Sequence, residues 1–221
     1  MTTKVEPRPA QAEREWWRRL IHVLTTPASV FVWVRDDSTE AAAARQEPLT
    51  ALVFVSGIAI FLATSTAGRF FDDFENNNNY LLLFMECIVA GLLVAIQNFW
   101  IIGGAVYLGG RTADSAASYR QARHVVALAT APFVVELVFV WPVRLVMFGG
   151  DSFRAGGSDH GAGEAVFRTL DAGFLAWSLV LLVIGVRTLN GWRWPRTFAS
   201  LVLAGVLLTL ITLLFVGVHF A

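Results

Sequence analysis

Four ionisable side chains, Glu86, Glu136, Arg144 and Asp171, lie inside or at the ends of long apolar runs. On insertion scales, a charge at the middle of a bilayer costs roughly 2.5–3.5 kcal/mol, so such a group must face protein or water. Glu86 falls about six residues inside its run, a depth of ~9 Å at ~1.5 Å per helical residue. Asp171 and Arg144 fall near the same end of their runs, with Glu136 two helical turns deeper. Three carboxylates and one guanidinium at similar depth permit two chemistries. One is an ion pair, Arg144 with Asp171 or Glu86, that fastens helices together. The other is a polar vestibule for protons or cations with Glu136 as its deepest titratable group, continued by Gln97 and Asn98 in the other half of the bilayer. Gln97 and Asn98 could instead make hydrogen bonds between helices. Pro132 and Pro142 flank Glu136; each removes a backbone donor and frees a carbonyl one turn earlier, which predicts bends in that helix.

These residues need a membrane around them, and the composition supplies it. The 221 residues are 56% hydrophobic and 15% charged, with mean hydropathy +0.58, whereas soluble domains carry about 25% charged residues. Five apolar segments are long enough to cross a hydrocarbon core, which takes about 20 helical residues. They span residues 49–67, 80–102, 124–148, 169–187 and 197–219. The fold expected is therefore all-α, a polytopic membrane protein with five transmembrane helices.

Ahead of the first span, residues 1–12 are polar and lack the means to build a core, which predicts disorder. Residues 13–24 place Trp17, Leu20, Ile21 and Leu24 at i, i+3, i+4 and i+7, the pattern of a short amphipathic helix. Trp16, Trp17, Arg18 and Arg19 suit a headgroup layer, where an indole buries its ring and arginine meets phosphate. The same helix could equally pack on the protein's own cytosolic face. Thr26-Pro27 reads as an N-cap followed by proline at the first helical position. Residues 35–48 read as a polar linker.

Orientation follows from arginine and lysine. The N-terminal region, the 103–123 loop and the 187–196 loop together hold thirteen, against Arg69, Arg154 and Arg168 in the alternate loops. That asymmetry places the N-terminus in the cytosol and the C-terminus outside. Arg111, Arg120, Arg123, His124, Arg187, Arg193 and Arg196 would then form a basic cytosolic face, with anionic lipid headgroups as its default partner. A membrane-protein partner or a homo-oligomer is the rival use of that face. One lysine against sixteen arginines points to a GC-rich bacterial genome and so to the cytoplasmic membrane.

Other chemistry finds little support. Cys87 is the only cysteine, which excludes an intramolecular disulfide and a cysteine-based zinc site. Asp151, Asp159, His160 and Glu164 share one loop but lack the ligand density of a calcium loop, so no metal or cofactor is expected. Nucleophile-elbow, zincin, P-loop and dinucleotide-binding motifs are missing, as is a nucleic-acid stripe. An enzyme is not expected.

Three stretches carry a family resemblance. They are WWRRLIHVLTTPASVFVWV near the N-terminus; YLGGRTADSAASYRQARHVVALATAP, with its paired glycine, loop and Ala-x-x-Pro ending; and FLAWSLVLLVIGVRTLNGWRWPRTFASLV, a span, tight basic turn and span. With them the chain, over residues 16–219, resembles the Yip1 domain family of five-span membrane proteins. The resemblance implies the five-span layout. It also implies a scaffold or accessory role, since eukaryotic members act in early secretory traffic and contact small prenylated GTPases. Bacterial members largely lack an assigned activity, and a bacterial chain would lack those partners. Two functions stand open at this stage. One is a non-enzymatic scaffold that binds partners or anionic lipid through its basic face. The other is a small transporter or channel subunit, or an accessory subunit of an export system, that uses the intramembrane carboxylates.

Overall fold

The structure, a computed structural model, describes residues 9–72, 79–158 and 161–219. Among these the fold is all-α. Two short helices, α1 (Pro9–Thr25) and α2 (Pro27–Trp33), precede five long ones. These are α3 (Thr39–Leu62), α4 (Tyr80–Thr112), α5 (Tyr119–Phe153), α6 (Ala162–Asn190) and α7 (Trp194–His219). All five are long and apolar enough to cross a membrane. The near end of the bundle holds the 113–118 and 191–193 connections, and the far end holds those around 63–72 and 154–161.

Local chemistry sets the helix boundaries. Ser38 accepts from the Ala41 N–H and opens α3, so the helix starts ten residues before the expected span and residues 39–48 are helix, not linker. Its alanine run is made of strong helix formers. Pro48 sits inside α3, which ends at Leu62, short of residue 67, because Ala67–Arg69 forms its own tight turn. The Asn79 side chain accepts from Leu81 and Leu82 and caps α4, which runs past residue 102 to Thr112. Ser118 and Gln121 form a reciprocal capping box that starts α5. Gly191, with φ of 66°, ends α6 in the left-handed conformation glycine tolerates. The expected Thr26 cap is absent: its hydroxyl donates back to the His22 carbonyl. Residues 9–12 are helical where disorder was expected; Pro9 opens the helix and Ala10, Gln11 and Ala12 favour it. Residues 1–8 lie outside the described residues.

α5 is the central helix. Ala122, Val125, Ala127 and Leu128 are essentially inaccessible. Between segments surrounded by lipid, burial removes no water, so association relies on close packing of small residues. Gly57 of α3 shows this: a methyl there would collide with the Gly91 carbonyl and lie 2.7 Å from the Ala95 Cβ. A second cluster at the far end joins Phe61, Phe71, Trp141 and Phe153.

The N-terminal helices form a hairpin packed into the bundle. α2 lies along α6, and α1 packs on α3 and reaches the Ala131–Val135 segment of α5. That segment lies about three turns beyond Arg120. Phe31 is fully buried, close enough to Gly185 that a methyl there would sit 2.8 Å from its ring. The inward stripe of α1 is Trp16 and Val23, with Leu20 and Leu24 partly covered, while Trp17 and Ile21 are exposed. The expected stripe of Trp17, Leu20, Ile21 and Leu24 is therefore rotated. Apolar residues run around both sides of α1, one side for protein and one for the surroundings, and spacing alone does not rank them.

α5 breaks where its prolines require. Ahead of Pro132 the ladder tightens at Thr130, whose N–H donates to Ala127 and whose hydroxyl donates to the same carbonyl. The buried Ser56 hydroxyl donates to Thr130 Oγ1 across 2.9 Å and ties α3 to the break. Ahead of Pro142 the helix widens into a π-helical turn, Glu136–Val140, the adjustment a missing donor invites.

Candidate functional site

Of the expected intramembrane cluster, Glu136, Arg144 and Asp171 come together and the rest do not. Glu136 opens the π-helical turn of α5 and is completely buried. Its carboxyl reaches that of Asp171 on α6. Arg144, two turns further along α5, holds Asp171 at 3.8 Å. No protein N–H or O–H donates to either Glu136 oxygen. Two facing carboxylates present only acceptors to one another.

Toward the near end, Glu136 is followed by Phe133, Pro132, Ala131 and the fully packed Val125–Ala129 segment. Gln97 and Asn98 do not extend the cluster. They begin a second π-helical turn, Gln97–Ile102, with Gln97 exposed and Asn98 half-buried. The neighbouring Phe99 stacks on His124 at the near end. Glu86 lies half-buried beside Cys87 on α4. The expected ion pair of Arg144 with Asp171 forms, Glu136 lies beside it, and among the described residues Glu86, Gln97 and Asn98 lie apart from it.

At the near end the structure builds a network that sequence reasoning missed. Arg45 is fully buried on α3. Its Nε donates to His124 Nδ1 at 2.8 Å and its Nη1 to the Asp36 carbonyl at 2.7 Å. An imidazole that accepts at Nδ1 is neutral and carries its proton on Nε2. Asp37 lies 3.5 Å from Arg45 and accepts from Arg120 Nε at 2.7 Å. Burial works to raise the Asp37 carboxyl. Hydrogen bonds from Ser118 and Arg120, and the charges of Arg120 and Arg45, outweigh it and hold the group below the usual carboxylate range. Gln121 donates to the Val34 and Arg35 carbonyls, and Arg35 donates to the Thr188 carbonyl. The segment after α2 is thereby pinned between α5 and α6.

This network draws on the expected basic face. Arg120 is paired with Asp37. Arg123 is wedged among Trp100, Tyr119 and Phe99, 3.9 Å from the Trp100 ring. His124 is buried, contrary to its expected place at the surface, because Arg45 reaches it from α3. Arg196 binds the Ala113 carbonyl and Asp114. Arg111, Arg187 and Arg193 remain exposed, and Arg187 stacks over Trp194 at 4.4 Å. In the expected interfacial helix, Arg18 is exposed, whereas Arg19 pairs with Glu15 and lies over the Trp33 ring at 4.1 Å.

The described residues of the far-end loop show no ligand set. Asp151 accepts from Ser158, which holds its carboxyl below the usual range. Glu164 pairs with Arg168, and Asp159 and His160 lie outside the described residues. Among the described residues, no group of three potential metal ligands occurs.

Five packed helices, each long and apolar enough to cross a membrane, define a polytopic membrane protein. The model of the Yip1 domain family matches residues 21–216, and the chain belongs to that family. Comparison with curated proteins and with solved structures gives no match.

Proposed function

We propose that the chain is a non-enzymatic membrane scaffold or accessory protein. Its near end faces the cytosol, and its exposed arginines bind anionic lipid headgroups and orient the protein toward a membrane partner. The supporting observation is that Arg111, Arg187 and Arg193 are exposed at the near end, with Arg187 stacked over Trp194. Indole and guanidinium together suit a headgroup layer. The arginine asymmetry of the loops supports a cytosolic position for this rim, and sixteen arginines against one lysine support a bacterial cytoplasmic membrane. Glu136 supports the same reading, since it is fully buried beside Asp171.

The test is lipid retention by the full chain in nanodiscs of mixed anionic and zwitterionic lipid. Each arginine near an anionic surface contributes about 1 kcal/mol. Changing Arg111, Arg187 and Arg193 together to Gln should therefore remove most of the headgroup preference and reduce co-purification of membrane partners. Unchanged lipid selectivity and unchanged partners would count against the proposal. A proton or cation flux through reconstituted vesicles, abolished by Glu136→Gln, would replace it with the transport reading.

A further inference from the structure

Residues 20–34, between Arg18-Arg19 and Arg35-Asp36-Asp37, contain no aspartate, glutamate, lysine or arginine. The segment is shorter than the about 20 helical residues that cross a hydrocarbon core. It folds on itself as the end of α1, a turn at Thr25–Thr26, and α2. Its two feet meet, since the Arg19 guanidinium lies 4.1 Å from the centre of the Trp33 ring. Thr26, midway between them in sequence, is therefore the tip.

Contacts with α5 and α6 set the depth of that tip. Arg35 donates to the Thr188 carbonyl at the near end, and one turn earlier Phe31 lies against Gly185. Followed back from Arg35, α2 thus runs along α6 into the bundle, and one further turn brings Pro27 level with Leu181. Leu181 is buried in the same packed cluster as Phe31. It stands six residues inside the 169–187 span, a depth of ~9 Å at ~1.5 Å per residue. On the other arm, α1 reaches Ala131–Val135 of α5, a segment that begins seven residues inside the 124–148 span, or ~10 Å.

The tip suits a dry setting. The Thr25 and Thr26 hydroxyls donate to the His22 carbonyl, and the Ser29 hydroxyl donates to that of Thr26. Hydroxyls turned onto their own backbone need no water, the condition that hydrocarbon imposes. His22, the only ionisable side chain of the segment, stands one turn back toward the near end, where an imidazole reaches the headgroups. The outer side of the hairpin is apolar and uncovered: Ile21 is 70% exposed and Val32 47%, and Ala28 is exposed as well. Trp17 and Trp33 stand at the feet, at the level where interfacial indoles collect.

We infer that residues 20–34 are a re-entrant hairpin in the leaflet at the near end. They turn at Thr25–Thr26 among acyl chains and leave at Arg35, with Ile21, Ala28 and Val32 against lipid hydrocarbon. A helix lying flat in the headgroup layer keeps one depth along its length, whereas the hairpin grades from shallow feet to a deep tip. This placement is independent of lipid charge and of the side of the membrane that the near end faces, and so of the proposed function.

The experiment introduces single cysteines, Glu40→Cys, Val32→Cys, Ala28→Cys, Thr26→Cys and Ile21→Cys, into the full chain in a Cys87→Ser background. Each carries a nitroxide, and the protein is placed in phosphatidylcholine vesicles. Collision with oxygen, which concentrates in hydrocarbon, is compared with collision with a water-soluble nickel chelate. The expected oxygen-to-nickel ratio rises from Glu40 through Val32 and Ala28 to a maximum at Thr26, with nickel prevailing only at Glu40. A uniform ratio from Val32 to Thr26, or nickel prevailing at Thr26, would overturn the inference. So would closure of Ile21 and Ala28 to both reagents, because a second copy or another protein would then cover the outer face. The unaltered chain gives a second reading that no misfolded variant can spoil. Phosphatidylcholine with a diazirine near the end of an acyl chain should label residues 20–34 under light, and labels confined to the five long helices would refute the hairpin.

Discussion

Substituting Asp37 with Asn should destabilise the protein more than its place in a short connection suggests. The side chain sits between two guanidiniums, 2.7 Å from Arg120 and 3.5 Å from Arg45. Asparagine keeps the shape and removes the charge. Arg45, with no solvent exposure, would then remain buried without its carboxylate. Breaking a buried pair by removing one partner costs about 3–5 kcal/mol. Because Asp37 is 27% exposed, solvent screens part of this, and about 2–3 kcal/mol is the reasonable expectation. For a chain of this length, that lowers the unfolding midpoint by about 4–12 °C. Arg120→Gln, which removes a partner 39% exposed, should cost under about 1 kcal/mol. The assay is thermal unfolding in detergent across a pH series. The folded Asp37 carboxyl lies below its ordinary value, so its stabilisation is present above the unfolded pKa of about 3.9 and disappears as pH falls through the lower folded value. The gap between native chain and variant should accordingly be flat near neutrality and close in strong acid. A gap below 1 °C at neutral pH, or one that persists unchanged once both forms are protonated, would refute the reasoning.

Glu136→Gln should leave the midpoint unchanged or raise it by about 2–4 °C, because a buried amide can donate to Asp171 where a carboxylate cannot, a gain of about 1 kcal/mol; a large fall in the same melts would mean the carboxyl is needed. On α1, Trp16→Ala should cost about 3 kcal/mol and Trp17→Ala under about 0.5 kcal/mol, since the first ring is 3% exposed and the second 42%. Denaturation of both variants settles which stripe of the helix faces the protein, and equal losses would contradict the packing described.

The parts of this fold that were legible in the sequence are those set by one-dimensional quantities. Five spans follow from length and hydropathy, and the disturbances of α5 follow from Pro132 and Pro142, because a missing N–H acts within one turn. The proximity of Arg144 and Asp171 was accessible because their depths could be counted from span ends. The Arg45 network was not accessible. Its partners are 79 and 83 residues apart in sequence, and only the angle at which α3 crosses α5 brings them together. Arg45 also occupies a polar, alanine-rich stretch that reads as a linker until Ser38 is recognised as a cap. The facing of α1 failed for a related reason: with apolar residues at 16, 17, 20, 21, 23 and 24, periodicity permits two inward stripes, and Phe31 and its neighbours on α2 decide between them.

How the arginines are used links the two ends of the bundle. At the near end several are consumed by protein: Arg45 by His124 and Asp37, Arg120 by Asp37, Arg123 by three aromatic rings. They hold the N-terminal hairpin and the loops in one arrangement. What remains for an outside partner there is a thin rim with an indole beside it. At the far end, too, arginines are used by the protein: Arg144 holds Asp171 and Arg168 pairs with Glu164. If the proposed function holds, the anionic lipid beside the near-end rim is the first ligand to look for.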